Sequence, residues 1–315
     1  MLAAHADWSI DPRKRWIAVA RLLGKYWSVD APRPVGDAGT LLHPLRAEAA
    51  GVPIALGLDL PIGVPRAYAI HRTEPDFLTF LEATAKWPAF YQVCATLEEL
   101  GPERPFYPVR GIAGMTRAAH AAALGLTGGG PALSRVCDRA TAERPAGAPL
   151  FWTLGANQSG KAAIAAWRDM LVPALLQRAP IRLWPFEGPF RELLAPGSVA
   201  MAETYPAEAL RHLGIRLKGS KRRQADRMAV ADALLDAMVT LRAEPAPCMI
   251  AAARDGFGPD AMGEDRFDCT LGLLCVLNVL AGNRPDTAPA DPWLLRWEGW
   301  VLGQTALPTG FTAPA

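Results

Sequence analysis

Short apolar segments joined by tight polar turns open the chain. Residues 2–9, Trp16–Leu23 and Tyr26–Val29 follow one another in a pattern typical of three strands in an antiparallel meander. Residues 52–60, VPIALGLDL, form a continuous apolar run bounded by prolines. Such a run predicts a strand buried on both faces in the middle of a mixed sheet. Residues 198–204, SVAMAET, predict a further strand.

An apolar helix is predicted at residues 263–282. Its stretch from Leu271 to Leu280 is apolar almost all round and must therefore be buried, and Gly282 suits a left-handed cap. Residues 220–243 predict one longer helix with a core face at helical spacing. The positions of that face are Met228, Ala231, Leu234, Leu235, Met238 and Leu241. Residues 297–303, WEGWVLG, predict an edge strand.

Between the predicted strands lies a block of helical character, from Thr73 to about Arg182. A helix across residues 161–179 is predicted to be capped by Asn157 or Ser159 and kinked at Pro173. The pattern as a whole predicts a single α/β domain over residues 1–315. Its mixed sheet would carry a helical insertion subdomain at approximately 73–190.

Composition narrows the class of protein without selecting a function. The apolar runs are shorter than the roughly 20 residues that span a bilayer, so no membrane partner is predicted. The first residues lack the pattern of a secretory signal, and five cysteines without a CxxC pair suggest neither a zinc site nor a complete disulfide set. These features predict a cytoplasmic protein. The net charge of +2 neither demands nor excludes a polyanionic partner.

Acidic residues mark the ends of three predicted strands: Asp7, Asp59 and Glu203. The late helix adds Asp265 and Asp268, which stand three apart and so share one helix face. Carboxylates that converge on one end of a sheet repel unless cations neutralise them, and oxygen ligands favour Mg²⁺ or Mn²⁺. Two such ions can support phosphoryl chemistry.

Structural explanations of the same acids stay open. Acids in a first helical turn also suit the positive end of the helix dipole. Asp59 precedes Pro61 and could start a turn. His5 shares strand parity with Asp7, but a packed strand histidine is the simpler interpretation. Asp11 falls in the turn after the first strand and is not assigned to the site.

Two basic features suggest contacts to phosphate. The densest positive run, Lys218–Arg223 with Arg227 one turn on, predicts substrate binding by Lys221, Arg222, Arg223 and Arg227. The alternative is an ordinary solvated helix face.

Residues 155–162 have the glycine and lysine spacing of a P-loop, but Ala162 replaces the hydroxyl residue that would hold Mg²⁺. That replacement argues against a nucleotide hydrolase. Lys161, at a predicted helix N-terminus, remains a candidate phosphate contact.

Several short motifs carry a resemblance to a known family. They are DWS at 7–9, LGLDLPIGVP at 56–65, ETYPAEALRHLG at 203–214, DRFDCTLGLLCV at 265–276 and EGWVLG at 298–303. Together they resemble the bacterial family numbered 429 among the domains of unknown function, which has been labelled a predicted nuclease. The order of strands and acids is also similar to the ribonuclease H-like fold, including Holliday-junction resolvases.

The resemblance implies roles for individual residues. Asp7, Asp59 and Asp268 would be metal ligands for Mg²⁺ or Mn²⁺, with Asp265 beside them and Glu203 matching a family motif. It implies metal-dependent hydrolysis of a phosphodiester in nucleic acid or another phosphoester. The alternative is a non-catalytic nucleic-acid or nucleotide-binding module on the same fold.

Overall fold

The computed structural model describes residues 1–111, 113–155 and 159–311. The strands are β1 (Leu2–Asp7), β2 (Trp16–Leu23), β3 (Tyr26–Val29), β4 (Arg33–Pro34), β5 (Ile54–Leu58), β6 (Ile181–Leu183), β7 (Val199–Glu203) and β8 (Ala243–Pro245). The helices are α1 (Leu42–Ala49), α2 (Arg66–Ala69), α3 (Phe77–Thr84), α4 (Arg117–Ala123), α5 (Ser159–Ala166), α6 (Val172–Leu176), α7 (Pro206–His212), α8 (Gln224–Met228), α9 (Ala231–Thr240), α10 (Pro247–Arg254) and α11 (Gly263–Leu280).

The described chain divides into two compact units. The first comprises Met1–Asp59, Pro180–Thr287 and Val301–Gln304, and the second comprises Leu60–Ala179, Ala288–Trp300 and the segment from Thr305 onwards. The first unit contains the whole sheet and helix α11. The second contains residues 73–179 of the predicted helical block together with a segment near the end of the chain that the sequence had not assigned to it, whereas residues 180–190 lie in the first unit.

The eight strands of the described residues form one mixed sheet in the first unit. The order is β6-β7-β5-β1-β2-β3-β8, with β4 paired to β2. Strands β6, β7, β5 and β1 are parallel, whereas β1, β2 and β3 form the predicted antiparallel meander. The protein is therefore α/β, with a mixed sheet flanked by helices, as the sequence predicts at this level.

Helix α11 packs across β1, β2 and β5 and against α7. Its close approach to the sheet depends on Gly272, because a Cβ atom there would overlap the ring of His5. Gly57 of β5 contributes in the same way, since a Cβ at that position would meet Val276 of α11. The helix ends at Leu280, and Gly282 has the predicted left-handed conformation, with φ +79°.

The prediction of one continuous helix at residues 220–243 is wrong. The structure has two helices, α8 and α9, and Lys221 and Arg222 lie in the turn that precedes α8. Ala231, Leu234, Met238 and Leu241 are buried as predicted, but Met228 is 46% exposed. The reason is that Arg227, the neighbour of Met228, points inward and uses the space under this segment.

The prediction of an edge strand at residues 297–303 is also wrong. Leu294–Glu298 is a π-helical turn, and Val301 forms an isolated parallel bridge with Glu203. Gly299 and Gly303 both have positive φ, so the segment between them is too short and too curved to extend a ladder.

The second unit is built around an aromatic core. Phe77, Phe80, Phe90, Phe106 and Phe151 are fully buried and contact one another edge to face or stacked, along a chain of neighbouring rings. A π-helical turn, Trp167–Leu171, joins α5 to α6 just before Pro173, which has no N–H to continue a regular ladder. The predicted cap residue Asn157 lies outside the described residues.

Candidate functional site

Asp7 and Asp59 lie side by side at the carboxyl edge of the sheet. Strands β1 and β5 are parallel neighbours with Ala6 opposite Leu58, and the N–H of Asp59 donates to the carbonyl of Ala6 at 3.1 Å. Because side chains alternate along a strand, Asp7 shares the face of His5, which is the face covered by α11. A side-chain hydrogen bond joins the two carboxyl groups.

Helix α11 brings Asp265 and Asp268 to the same place. It crosses β1 with its first turns over the end of the strand, so both acids lie near Asp7. Asp268 accepts the Lys221 ammonium at 2.7 Å on Oδ1 and 2.5 Å on Oδ2. Oδ2 of Asp265 is buried and has no hydrogen-bond partner among the described residues.

The electrostatics show that the four carboxyl groups act on one another. Burial, followed by the charges of Asp59, Asp268 and Asp265, raises the pKa of Asp7 well above its ordinary range. Burial and the charge of Asp268 raise the pKa of Asp59 to about 7. Burial raises the pKa of Asp265 to about 6, with Asp268 acting in the same direction. The cluster therefore favours binding of a proton or a cation, which relieves the repulsion between the carboxylates.

Arg227 fixes the turn and the helix that carry this site. Its guanidinium is 1% exposed and donates to the carbonyls of Gly256 and Gly258, both at 2.7 Å, and to the carbonyl of Lys221. Gly256 and Gly258 belong to the loop that leads into α11. The predicted role of Arg227 in contacting substrate is corrected, since a buried guanidinium bound to main-chain carbonyls offers no surface to a ligand.

Glu203 lies one residue out of step with the other acids. It pairs with Leu58 in the parallel ladder, so its side chain leaves the sheet on the face opposite to Asp7 and α11. Its charge still contributes to the raised pKa of Asp59, but the structure does not bring Glu203 into the cluster on the α11 face.

Thr204 directly follows β7, level with Asp59 on the α11 face, and sequence reasoning missed it. Its N–H donates to the carbonyl of Leu58 at 2.9 Å, and it is fully buried. Its hydroxyl has no partner among the described residues. The alternation of side chains along a strand would have identified Thr204 only if the register between β5 and β7 had been known.

Lys14 is a second residue that the sequence did not indicate. It lies in the exposed turn after β1, and its charge lowers the pKa of Asp265 against the effect of burial. Asp11, which was left out of the site, accepts from Arg13 at 2.9 Å and caps this turn.

Arg222 and Arg223 remain on the surface beside the cluster. Their side chains are 72% and 69% exposed. Arg222 lies 3.6 Å from Glu264 in the first turn of α11, and Arg223 contacts Asp226 at 2.6 Å. These two arginines, unlike Arg227, could meet a phosphate without unfolding the turn.

Lys161 lies in α5 of the second unit and is half-buried. Gly160 packs against the carbonyl of Leu150 so closely that a Cβ atom would not fit. Residues 156–158 of the P-loop-like motif lie outside the described residues.

The donor set suits a hard divalent cation. It consists of carboxylates, one of which has a buried oxygen without a partner, and the group already attracts an ammonium ion. In the described residues, however, the oxygens of Asp7, Asp59 and Asp268 do not all lie within 4.8 Å of one another. The carboxylates therefore share one face of the sheet edge, but their oxygens do not surround a single metal position.

No family model, curated protein or solved structure matches this chain. The resemblance to the predicted nucleases therefore stays a prediction. Among the described residues, no helix combines the length and the apolar character needed to cross a membrane.

Proposed function

We propose that this chain is a divalent-metal-dependent phosphoesterase on a ribonuclease H-like fold, with nucleic acid as its substrate class. One observation carries the proposal: Asp7, Asp59, Asp265 and Asp268 come from three separate segments and meet on one face of the sheet edge. Four partly buried acids that raise one another's pKa weaken the fold, so a functional demand explains them better than packing does.

The arrangement of elements supports the proposed fold. An antiparallel meander is followed by parallel strands, acids end β1 and β5, and the late helix with its DxxD sequence covers both ends. This is the order that the resemblance implies. Since a fold hosts many activities, the argument for function rests on the carboxylates themselves.

Each residue has a definite task in this proposal. Asp7, Asp59 and Asp268 would hold Mg²⁺ or Mn²⁺, and the bound ions would activate a water and stabilise the leaving oxygen of a phosphodiester. The free Oδ2 of Asp265 would accept a hydrogen bond from a water in the site. Arg222 and Arg223 would hold the phosphate backbone beside it.

A specific contact favours a second candidate, a nucleic-acid-binding module without turnover. Lys221 already neutralises Asp268 in a bidentate contact, so the site can exist without a metal. A pure binding module would keep this contact permanently and would use only the surface arginines.

The test is hydrolysis of labelled DNA, labelled RNA and a bis-nitrophenyl phosphate, each with Mg²⁺, with Mn²⁺ and with chelator. We expect cleavage of at least one substrate with metal and none with chelator. Asp7→Asn and Asp268→Asn should each lower the rate by at least about 100-fold, on the scale of losing a group that acts in the transition state. Asp232→Asn, an exposed aspartate of α9, is the matched control.

Two results would contradict the proposal. The first is cleavage that persists equally in Asp7→Asn and Asp268→Asn. The second is metal-independent binding of nucleic acid by a protein that cleaves none of the substrates, which would favour the binding module.

A further inference from the structure

The ammonium of Lys221 occupies the oxygens of Asp268 that a metal would need. Nζ lies 2.7 Å from Oδ1 and 2.5 Å from Oδ2, so both oxygens of the carboxylate are engaged. The contact is partly shielded, with the two side chains 26% and 13% exposed. A divalent cation that bound Asp268 beside this contact would meet the ammonium, and the two positive charges would repel each other.

Lys221 acts on the rest of the cluster as well. Its charge lowers the pKa of Asp7, Asp59 and Asp268, opposing the burial and like-charge repulsion that raise them. It is therefore a counter-charge within the site, and removal of its ammonium would strengthen the repulsion among the carboxylates.

The main chain of Lys221 is held by hydrogen bonds, whereas its side chain is 26% exposed. The carbonyl of Lys221 accepts from the buried Arg227, and the preceding residue, Ser220, donates its N–H to Asp226 at 2.9 Å. A lysine side chain has several rotatable bonds beyond this fixed point, so its ammonium can leave Asp268 without movement of the turn.

We propose that Lys221 is a built-in counter-cation that competes with a divalent metal ion for Asp268. In the metal-free protein the ammonium neutralises the carboxylate, and metal binding displaces it. Lys221 is thus a positioning residue that sets the metal affinity of the site and keeps the metal-free fold stable. The inference rests on the proposed function, since it takes the cluster to be a metal site.

The experiment measures Mn²⁺ affinity by calorimetry and by the spin-resonance signal of free Mn²⁺, together with metal-free thermal stability. Lys221→Met removes the charge but keeps the length of the side chain. We expect it to bind Mn²⁺ roughly 10- to 100-fold more tightly, because a nearby positive charge and a competitor are both lost. Its metal-free unfolding temperature should fall, so that the two readouts move in opposite directions.

Three further variants make the result specific. Arg222→Gln removes one positive charge from the same turn without touching Asp268, so its Mn²⁺ affinity should change by less than about 3-fold, the effect of a screened surface charge. Lys221→Arg keeps the charge and should resemble the wild type. Lys221→Met in an Asp268→Asn background should tighten binding much less than it does in the wild type, because the contested carboxylate is gone and only the loss of a nearby positive charge remains. Should Lys221→Met fail to fold, Lys221→Gln tests the same loss of charge.

The inference is overturned if Lys221→Met and Lys221→Gln bind Mn²⁺ no more tightly than the wild type, or if no variant binds it saturably. It fails separately from the proposed function. If the Lys221 variants bind Mn²⁺ as the wild type does and cleavage still depends on metal, the competition is disproved but the proposed phosphoesterase activity stands. If Lys221→Met binds Mn²⁺ more tightly but no substrate is cleaved, the competition is supported and the proposed phosphoesterase activity is disproved.

Discussion

The pKa of the Asp59 carboxyl couples the candidate site to the stability of the whole protein. Burial and the charge of Asp268 raise it from the ordinary 3.8 to about 7. Between these two pH values the folded state binds a proton that the unfolded chain has released. Stability contributed by this group is therefore fully present below pH 4 and is lost as the pH rises towards 7.

We therefore expect Asp59→Asn to stabilise the metal-free protein more at pH 8 than at pH 5. The difference between the two pH values should be on the order of 2 kcal/mol, from the part of the raised pKa that lies above pH 5. Urea unfolding in chelator measures it, and Asp232→Asn serves as the control. A gain that is the same at both pH values would show that the carboxyl is ionised in the fold at pH 5.

The roles of the individual residues in the basic run, residues 218–227, could not be predicted from the sequence. Arg222, Arg223 and Arg227 look equivalent in the sequence, yet the first two are exposed and the third is buried against main-chain carbonyls. The difference depends on a turn at Lys221 and Arg222, where helical periodicity predicted a helix. Lys221 could not be assigned to Asp268 from the sequence because 47 residues separate them.

Helix α11 was predictable as an element because its apolar residues are continuous. The same holds for β1, β2, β3, β5 and β7. Strands β6 and β8 have only three residues each and owe their existence to pairing with β7 and β3, which local sequence does not encode. The convergence of Asp7, Asp59 and Asp268 followed from topology, whereas the face of Glu203 depended on a one-residue register.

The packing of α11 on β1 leads to a prediction about Gly272. In an isolated helix Gly→Ala is favourable by up to about 1 kcal/mol. Here the new methyl group would overlap the buried His5 ring, so we expect Gly272→Ala to destabilise the protein by about 1–3 kcal/mol, as overpacked cores do.

A double-mutant cycle identifies the cause. His5→Ala removes the ring that the methyl group meets, so Gly272→Ala should cost at least about 1 kcal/mol less in that background. Chemical denaturation of the four proteins gives the coupling free energy. Strict additivity would place the overlap elsewhere in the contact between helix and sheet.

At the scale of the whole molecule, the net charge of +2 says little, and the local arrangement of charge decides what the surface attracts. Acids concentrate on one face of the sheet edge, and Arg222 and Arg223 lie exposed on the turn next to them. A phosphate backbone could be held by the arginines while a divalent ion offsets the acids. Arg227 is buried beneath this surface and is not available to a ligand, but its charge acts on Asp268.

Salt dependence tests whether this surface binds a polyanion. Neutralising Arg222 and Arg223 together should weaken nucleic-acid binding and reduce the slope of log K against log salt by roughly one unit per lost phosphate contact. The fold should stay intact, because both side chains are exposed. Arg46→Gln with Arg254→Gln removes two exposed arginines from α1 and α10, and it should leave the slope unchanged. Fluorescence anisotropy over a salt series in chelator separates this effect from metal binding. If the first pair of substitutions lowers the slope no more than the second, the arginines beside the carboxylates are an ordinary solvated surface, and a small phosphoester becomes the better substrate class.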